Sequence, residues 1–199
     1  MTGNLQAGYL MQSRRAALDA LHRRIRRCRA CRLCESRTRA VPGEGPLAAR
    51  VMVIGEAPGA VEDAEGRPFV GRAGAFVARM LSRIGLARDG VFLTNAVKCR
   101  PPLNRPPRDD ELAVCRERWL DRQIDLVAPA IIVPLGESAI RQRFGGTPQL
   151  SELHGSMRTH DGRTYFLTYH PASAMRFPAA GKAMEEDLER LKQLLHANP

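Results

Sequence analysis

The stretch from Arg50 to Gly74, RVMVIGEAPGAVEDAEGRPFVGRAG, limits the folds open to this chain more than any other. It opens on Val51 to Ile54, a short apolar run that reads as a buried strand. Gly55-Glu56-Ala57-Pro58-Gly59 stops that strand, because two glycines and a proline force a turn. A carboxylate, Glu56, is thereby left at the carboxyl end of a strand, where open α/β sheets keep their ligand crevice. Glu62 and Asp63 follow, and then Arg67-Pro68-Phe69-Val70-Gly71 sets an aromatic ring on a connection constrained by Gly and Pro. Helical sequence resumes at about Ala73. Roughly twenty residues of special backbone thus join one strand to one helix, more than a βα connection ordinarily needs. A solvated acidic linker has no use for so many fixed turns or for a phenylalanine.

The same pattern of an apolar run with a polar terminus recurs along the chain. Val91 to Thr94 leads into Asn95, Ala130 to Leu135 into Gly136-Glu137-Ser138, and Tyr165 to Thr168 into Tyr169-His170-Pro171. Helical periodicity lies between these runs: about Ala73 to Ile84, a segment capped by Asp109 or Asp110, one beginning at Glu137, and about Lys182 to His196. An earlier helix runs from Arg14 to about Arg27, preceded by residues 1–13, which carry little pattern and are expected to fray. Turns at His154-Gly155 and Asp161-Gly162 frame a short hairpin. The alternation predicts one α/β domain over 1–199, with a mainly parallel four-stranded sheet and helices on both faces. Strand ends in such a sheet share one edge, so Glu56, Asn95 and His170 are expected to converge there.

The chain has 31 Lys and Arg against 21 Asp and Glu, a formal net charge of +10 made mostly of arginine. That balance favours a polyanionic partner, of which nucleic acid is the commonest. No apolar run is long enough to span a bilayer and the N-terminus lacks a signal-peptide pattern, so a cytoplasmic protein with no membrane partner is expected. Cys28, Cys31, Cys34, Cys99 and Cys115 are an odd number of cysteines, which argues against a disulfide framework and for thiolate ligation of a metal or cluster. The Cys28-x-x-Cys31 spacing alone suits zinc, an iron–sulfur cluster or a redox pair.

Taken together and in order, CRACRL, GEAPGAVEDAEGRPFVGRAG, TNAVKCRPPLNRPP, the CRERWL helix, IIVPLG and YHPASAMR resemble the family 4 uracil-DNA glycosylases, the iron–sulfur, thermostable-type branch of the uracil-DNA glycosylase superfamily. The resemblance covers about Cys28 to Pro178. It implies a three-layer α/β/α domain and a monofunctional enzyme of base excision repair that hydrolyses the N-glycosidic bond of uracil in single- or double-stranded DNA. It implies a [4Fe–4S] cluster on Cys28, Cys31, Cys99 and Cys115, with a zinc ion on the same set as the runner-up and Cys34 outside it. A monomer of prokaryotic type, cytoplasmic and associated with the nucleoid, is expected.

The chemistry assigns roles within that resemblance. A leaving uracil gathers negative charge on O2 while the sugar becomes cationic, so the site needs a donor, a carboxylate and a reader of the base edge. Asn95 offers one donor and one acceptor, matching uracil O4 and N3–H, and Phe69 is the stacking platform for the flipped ring. His170 is the O2 donor. Glu56 is the first choice of carboxylate, with Asp63 and Glu62 behind it, and backbone N–H groups at Gly55 and Gly59 complete the pocket. Arg72, Arg100, Arg105, Arg108 and Arg176 are the expected phosphate partners and Met175 the wedge. The chain departs from its relatives in two places. PPLNRPPRDDE lacks the histidine with which a close branch traps the sugar, so turnover is expected, and Ala174-Met175 stand where two bulky aliphatics are common. Alternatives are a preference for hypoxanthine or xanthine, and a non-catalytic nucleic-acid-binding relative, against which the intact Glu56, Phe69, Asn95 and His170 speak.

Overall fold

Apolar runs that end level with one another build a sheet whose functional residues sit along one edge, and the computed structural model, which describes residues 2–197, has this form. The strands are β1 Val51–Gly55, β2 Phe92–Asn95, β3 Ile131–Pro134, β4 Met157–His160 and β5 Arg163–Phe166, in the order β2-β1-β3-β5-β4. All pairings are parallel except that of β4 with β5. The register sets Gly55 opposite Asn95 and Ile54 opposite Pro134, so the carboxyl ends of the three central strands are level. Five strands stand where four are expected. The extra one is β4, the first arm of the predicted hairpin, whose mostly exposed residues carry no apolar run.

Side chains alternate across a strand, and here the alternation divides the core in two. Met52, Ile54, Phe92 and Ile132 face α1 (Thr2–Arg26) and the helical stretch built from α5 (Asp109–Cys115) and α6 (Asp121–Val127). Val51, Val53, Leu93 and Val133 face α4 (Arg72–Arg83) and α10 (Pro178–Ala197). The remaining helices are short: α2 Leu33–Ser36, α3 Ala60–Glu65, α7 Glu137–Phe144, α8 Leu150–Leu153 and α9 Pro171–Arg176. A π-helical segment, Arg116–Leu120, joins α5 to α6 and turns Trp119 inward. No helix among the described residues is long and apolar enough to cross a membrane.

Three boundaries differ from expectation. Helix α1 begins at Thr2, ahead of the expected Arg14, and carries exposed Tyr9 and Leu10 on its first half. Helix α10 begins at Pro178, a residue favoured in the first turn because it has no N–H to leave unpaired. The long connection after β1 is interrupted by α3, and Glu62 of that helix is buried. Its carboxylate accepts the N–H groups of Gly59 (3.2 Å), Val70 (3.1 Å) and Gly71 (2.8 Å). The loop folds around a carboxylate because those amides have no strand or helix partner inside the protein.

Arg105, expected on the DNA surface, spends both terminal guanidinium nitrogens on Glu111 at 2.8 and 2.7 Å. Glu111 is fully buried and also accepts the Arg108 N–H at 2.8 Å. The Arg105 bonds hold its carboxyl below the usual carboxylate range, against the opposing effect of burial. Arg105→Ala should therefore cost about 3 kcal/mol at neutral pH, the scale for stranding a buried charge. A depressed folded pKa gives stability that is present above the unfolded value of about 4.3 and lost as pH falls through the folded one. Urea denaturation of both proteins should show the gap at pH 7 and a smaller one near pH 3.

Candidate active site

Three strand ends and one loop meet at the carboxyl edge of the sheet. Gly55 closes β1, and it is glycine for a steric reason. A Cβ there would fall 2.4 Å from Asn95 Oδ1 and 2.8 Å from Phe69 Cζ. The Asn95 amide and the Phe69 ring therefore share the space directly over Gly55. Asn95 is only 3% exposed, yet among the described residues nothing bonds its carboxamide.

Phe69 is held in place by an unusual backbone. Its φ is +53°, a left-handed conformation that a phenylalanine adopts only when its surroundings enforce it. Arg88 supplies part of that enforcement, donating to the carbonyls of Pro68 (2.7 Å) and Phe69 (2.8 Å) and to Glu44 (2.5 Å). Gly74 supplies the rest, since a Cβ there would lie 2.0 Å from the Phe69 oxygen. Glu62 pins the neighbouring amides of Val70 and Gly71.

Glu56 follows Gly55 and accepts a 2.5 Å hydrogen bond from Ser138 Oγ, on the first turn of α7. Sequence reading noted Ser138 at a helix start but gave it no role; a serine after Gly-Glu at a strand end was the available signal. His170 faces the same edge. Gly136, at φ +81°, lets it approach, because a Cβ there would lie 2.5 Å from His170 Cβ. His170 Nδ1 accepts the Ala172 N–H at 3.1 Å, which puts the ring proton of the neutral form on Nε2. Burial lowers the pKa of His170 and the charge of Glu56 opposes that shift. Thr168, two residues upstream, is anchored through its hydroxyl to buried Asp187 at 2.6 Å.

The other expected residues are placed differently. Asp63 is buried and points to the Thr38 N–H (3.0 and 2.9 Å), tying the segment before β1 to α3. The Gly59 N–H is occupied by Glu62. Arg72 is exposed at the start of α4, and Arg100 is half-buried and bonded to Asn104. Met175 (41% exposed) and Phe177 (53%) stand on and just past α9, which begins directly after His170, with the Arg176 guanidinium 5.2 Å from the Phe177 ring centre. Phe177 had not been singled out in the sequence. A groove of about 710 Å³ beside Phe76, Arg79 and Arg83 is lined by α4 and Glu185 and holds none of the residues assigned to the site.

The cysteines form a second centre. Cys28 follows α1, Cys31 precedes α2, Cys99 follows β2 and Cys115 ends α5; all four belong to one hydrophobic cluster. Trp119 Nε1 donates to Cys28 Sγ at 3.3 Å, and Arg37 Nη1 donates to Cys99 Sγ at 2.9 Å. Burial pushes the Cys115 thiol up to about 12 and the Cys99 thiol up to about 11. Thiols in such surroundings become thiolates by binding a cation, so the donor set suits a metal group. Among the described residues, no three side chains converge as ligands of one ion. A [4Fe–4S] cluster, which gives each thiolate its own iron, does not require that convergence. The chemistry of four clustered thiols fits it.

A carboxamide, an aromatic ring, a carboxylate and an imidazole thus gather on one edge of the mainly parallel sheet. The chain belongs to the uracil DNA glycosylase superfamily, whose family model matches residues 42–194. Its relatives narrow the group. The chain is 46% identical over 170 residues to the type-4 uracil-DNA glycosylase of Sulfurisphaera tokodaii, covering 79% of this chain and 76% of that one. It is 42% identical over 194 residues to that of Saccharolobus solfataricus (92% and 88% covered) and 41% over 181 residues to that of Pyrobaculum aerophilum (86% and 91%).

The opposition of Glu56 and burial at His170 has a measurable sign. Glu56→Gln removes the one charge that raises the His170 pKa, so His170 should titrate at lower pH than in the parent protein. Imidazole chemical shifts followed by NMR between pH 4 and pH 8 measure it; an unchanged or higher midpoint would separate the two groups electrostatically.

Proposed function

We propose that this chain is a monofunctional uracil-DNA glycosylase of base excision repair, hydrolysing the N-glycosidic bond of a flipped deoxyuridine. The observation that carries the reading is the crowding of the Asn95 amide and the Phe69 ring over Gly55. Together they make a slot with a flat apolar wall and one unbonded donor–acceptor pair. Uracil presents O4 and N3–H to such an amide. Cytosine presents the reverse pair, and mismatched buried polar groups make rejection strong.

The reaction divides its demands between two ends of the slot. As the bond to C1′ lengthens, charge moves onto the base, and His170 Nε2–H is available to donate to uracil O2. Because His170 is neutral at physiological pH, it stabilises the departing anion without giving up a full proton. Glu56, oriented by Ser138, holds negative charge near the cationic sugar and positions the water that attacks C1′. The released products are uracil and an abasic site. Asp63 and Glu62 support the loop from which Phe69 projects. Cys28, Cys31, Cys99 and Cys115 would hold a [4Fe–4S] cluster, whose contribution is to cross-link four segments of chain.

Met175 and Phe177 supply exposed apolar groups beside His170, fitting a wedge that fills the space of the extruded nucleotide. Arg72, Arg100 and Arg176 are the phosphate partners, and uracil-bearing DNA, single- or double-stranded, is the substrate. A cytoplasmic, nucleoid-associated monomer is the accompanying assignment.

Asn95→Asp should lower single-turnover excision from a U·G duplex roughly 10²–10³-fold, the scale for losing one donor to developing charge, while DNA affinity stays near that of the parent. A near-normal rate would reduce Asn95 to a turn residue. The purified protein should be brown and carry iron. Cys99→Ala and Cys115→Ala should lose the iron, and Cys34→Ala should keep it; stoichiometric zinc after anaerobic purification would overturn the cluster. Arg176→Ala should reduce the salt dependence of DNA binding by about one unit of slope.

A further inference from the structure

Lys98 lies between the two centres and belongs to neither assignment above. It is 1% exposed. Its ammonium donates to Thr94 Oγ1 at 2.6 Å and to the Asn95 carbonyl oxygen at 2.8 Å, both neutral acceptors. Among the described residues no carboxylate bonds it, although a buried ammonium normally carries one. In the chain it stands directly before Cys99, which is buried, as is Cys115. A second cation, Arg37, touches Cys99 Sγ from another segment, as described above.

We propose that Lys98 is a positioning residue shared by the two centres: its ammonium is the buried counter-charge of the four-cysteine cluster and, through the Asn95 carbonyl, fixes the base reader. The inference rests on the cluster and the uracil reading proposed above. Four thiolates around a [4Fe–4S] core of charge +2 leave a net charge of −2. Lys98 and Arg37 together supply two positive charges against it, from opposite sides in sequence. A cation buried without a carboxylate is costly in an interior of neutral thiols and is compensated beside an anionic cluster. The same ammonium, held by that anion, presents its hydrogens to Thr94 and Asn95 in a fixed direction. Asn95 is the last residue of β2, an edge strand of the sheet. Loading of the cluster and the accuracy of base reading are thereby joined through one side chain.

Three single variants of the holoenzyme separate the two roles: Lys98→Met, which removes charge and donor; Lys98→Gln, which removes charge but keeps a donor; and Thr94→Val, which keeps the charge but removes one of its two anchors. The readouts are iron per chain, the cluster's reduction potential by EPR-monitored titration, and single-turnover uracil excision. Lys98→Met and Lys98→Gln should both shift the potential to more negative values, because a nearby cation that favoured electron addition is gone. Thr94→Val should leave the potential unchanged. Excision should fall tenfold or more in Lys98→Met, less in Lys98→Gln, and severalfold in Thr94→Val. A parental potential in both Lys98 variants overturns the counter-charge role, and parental excision in Lys98→Met and Thr94→Val overturns the positioning role. If Lys98→Met does not fold, Lys98→Gln and Thr94→Val carry the same decision. Parent protein that holds no iron or spares uracil would instead overturn the underlying assignment, so the two failures are distinguishable.

Discussion

A buried carboxylate that has no cation beside it among the described residues organises the edge of the sheet. Glu62 collects three amide hydrogens from residues just ahead of α3 and α4, and by doing so closes the connection between β1 and α4 into a compact knot. Asp63, its neighbour, fastens the same helix to the chain entering β1. Phe69 then stands in a conformation that no isolated peptide would keep, because the backbone on either side has nowhere else to go. That placement holds the ring directly over Gly55, against the Asn95 amide. The acids of this loop thus divide their labour. Glu56 faces the edge, and the two that follow face the protein.

The rest of the chain supports that edge from two sides. One face of the sheet packs on α4 and α10 through aliphatic and aromatic side chains, with buried Asp187 of α10 bonded to Thr168. The other packs on α1 and on the stretch from α5 to α6, and there the hydrophobic layer contains four cysteines and a tryptophan. Leu18, Leu21 and Ile25 are the α1 residues that reach the core, and Cys28 and Trp119 meet at the end of that helix. The basic charge that makes the chain suited to DNA also weakens the helix as a hydrophobic partner.

Much of this was legible in advance, and the reasons differ by element. β1, β2 and β3 are short unbroken apolar runs because parallel strands are covered on both faces, and their ends fell where glycine and polar residues said they would. The convergence of Glu56, Asn95 and His170 follows from parallelism alone. β4 was missed as a member of the sheet because an exposed edge strand needs no apolar signature. α3 was missed because two of its six residues are buried acids, which periodicity reads as a polar surface. Arg105 read as a DNA contact because a sequence shows a charge but not its partner, and Glu111 is close to it only after the proline loop has turned. Gly136 and Ser138 gained meaning only from what they touch.

The π-helical segment at Arg116–Leu120 concentrates the effect of chain length on a few side chains. Such a segment holds one residue more than an α-helical path would need. Removing one residue there would let α5 run into α6 as an unbroken α-helix, and the faces on either side of the cut would keep their direction. Leu112 and Cys115 before it, and Ile124 and Val127 after it, would stay turned to the core. The facing that would change is that of the segment itself, and with it Trp119, whose indole N–H reaches Cys28. The extra residue is an insertion that the helix absorbs locally, and its trace is the chain's single tryptophan set beside a cysteine sulfur.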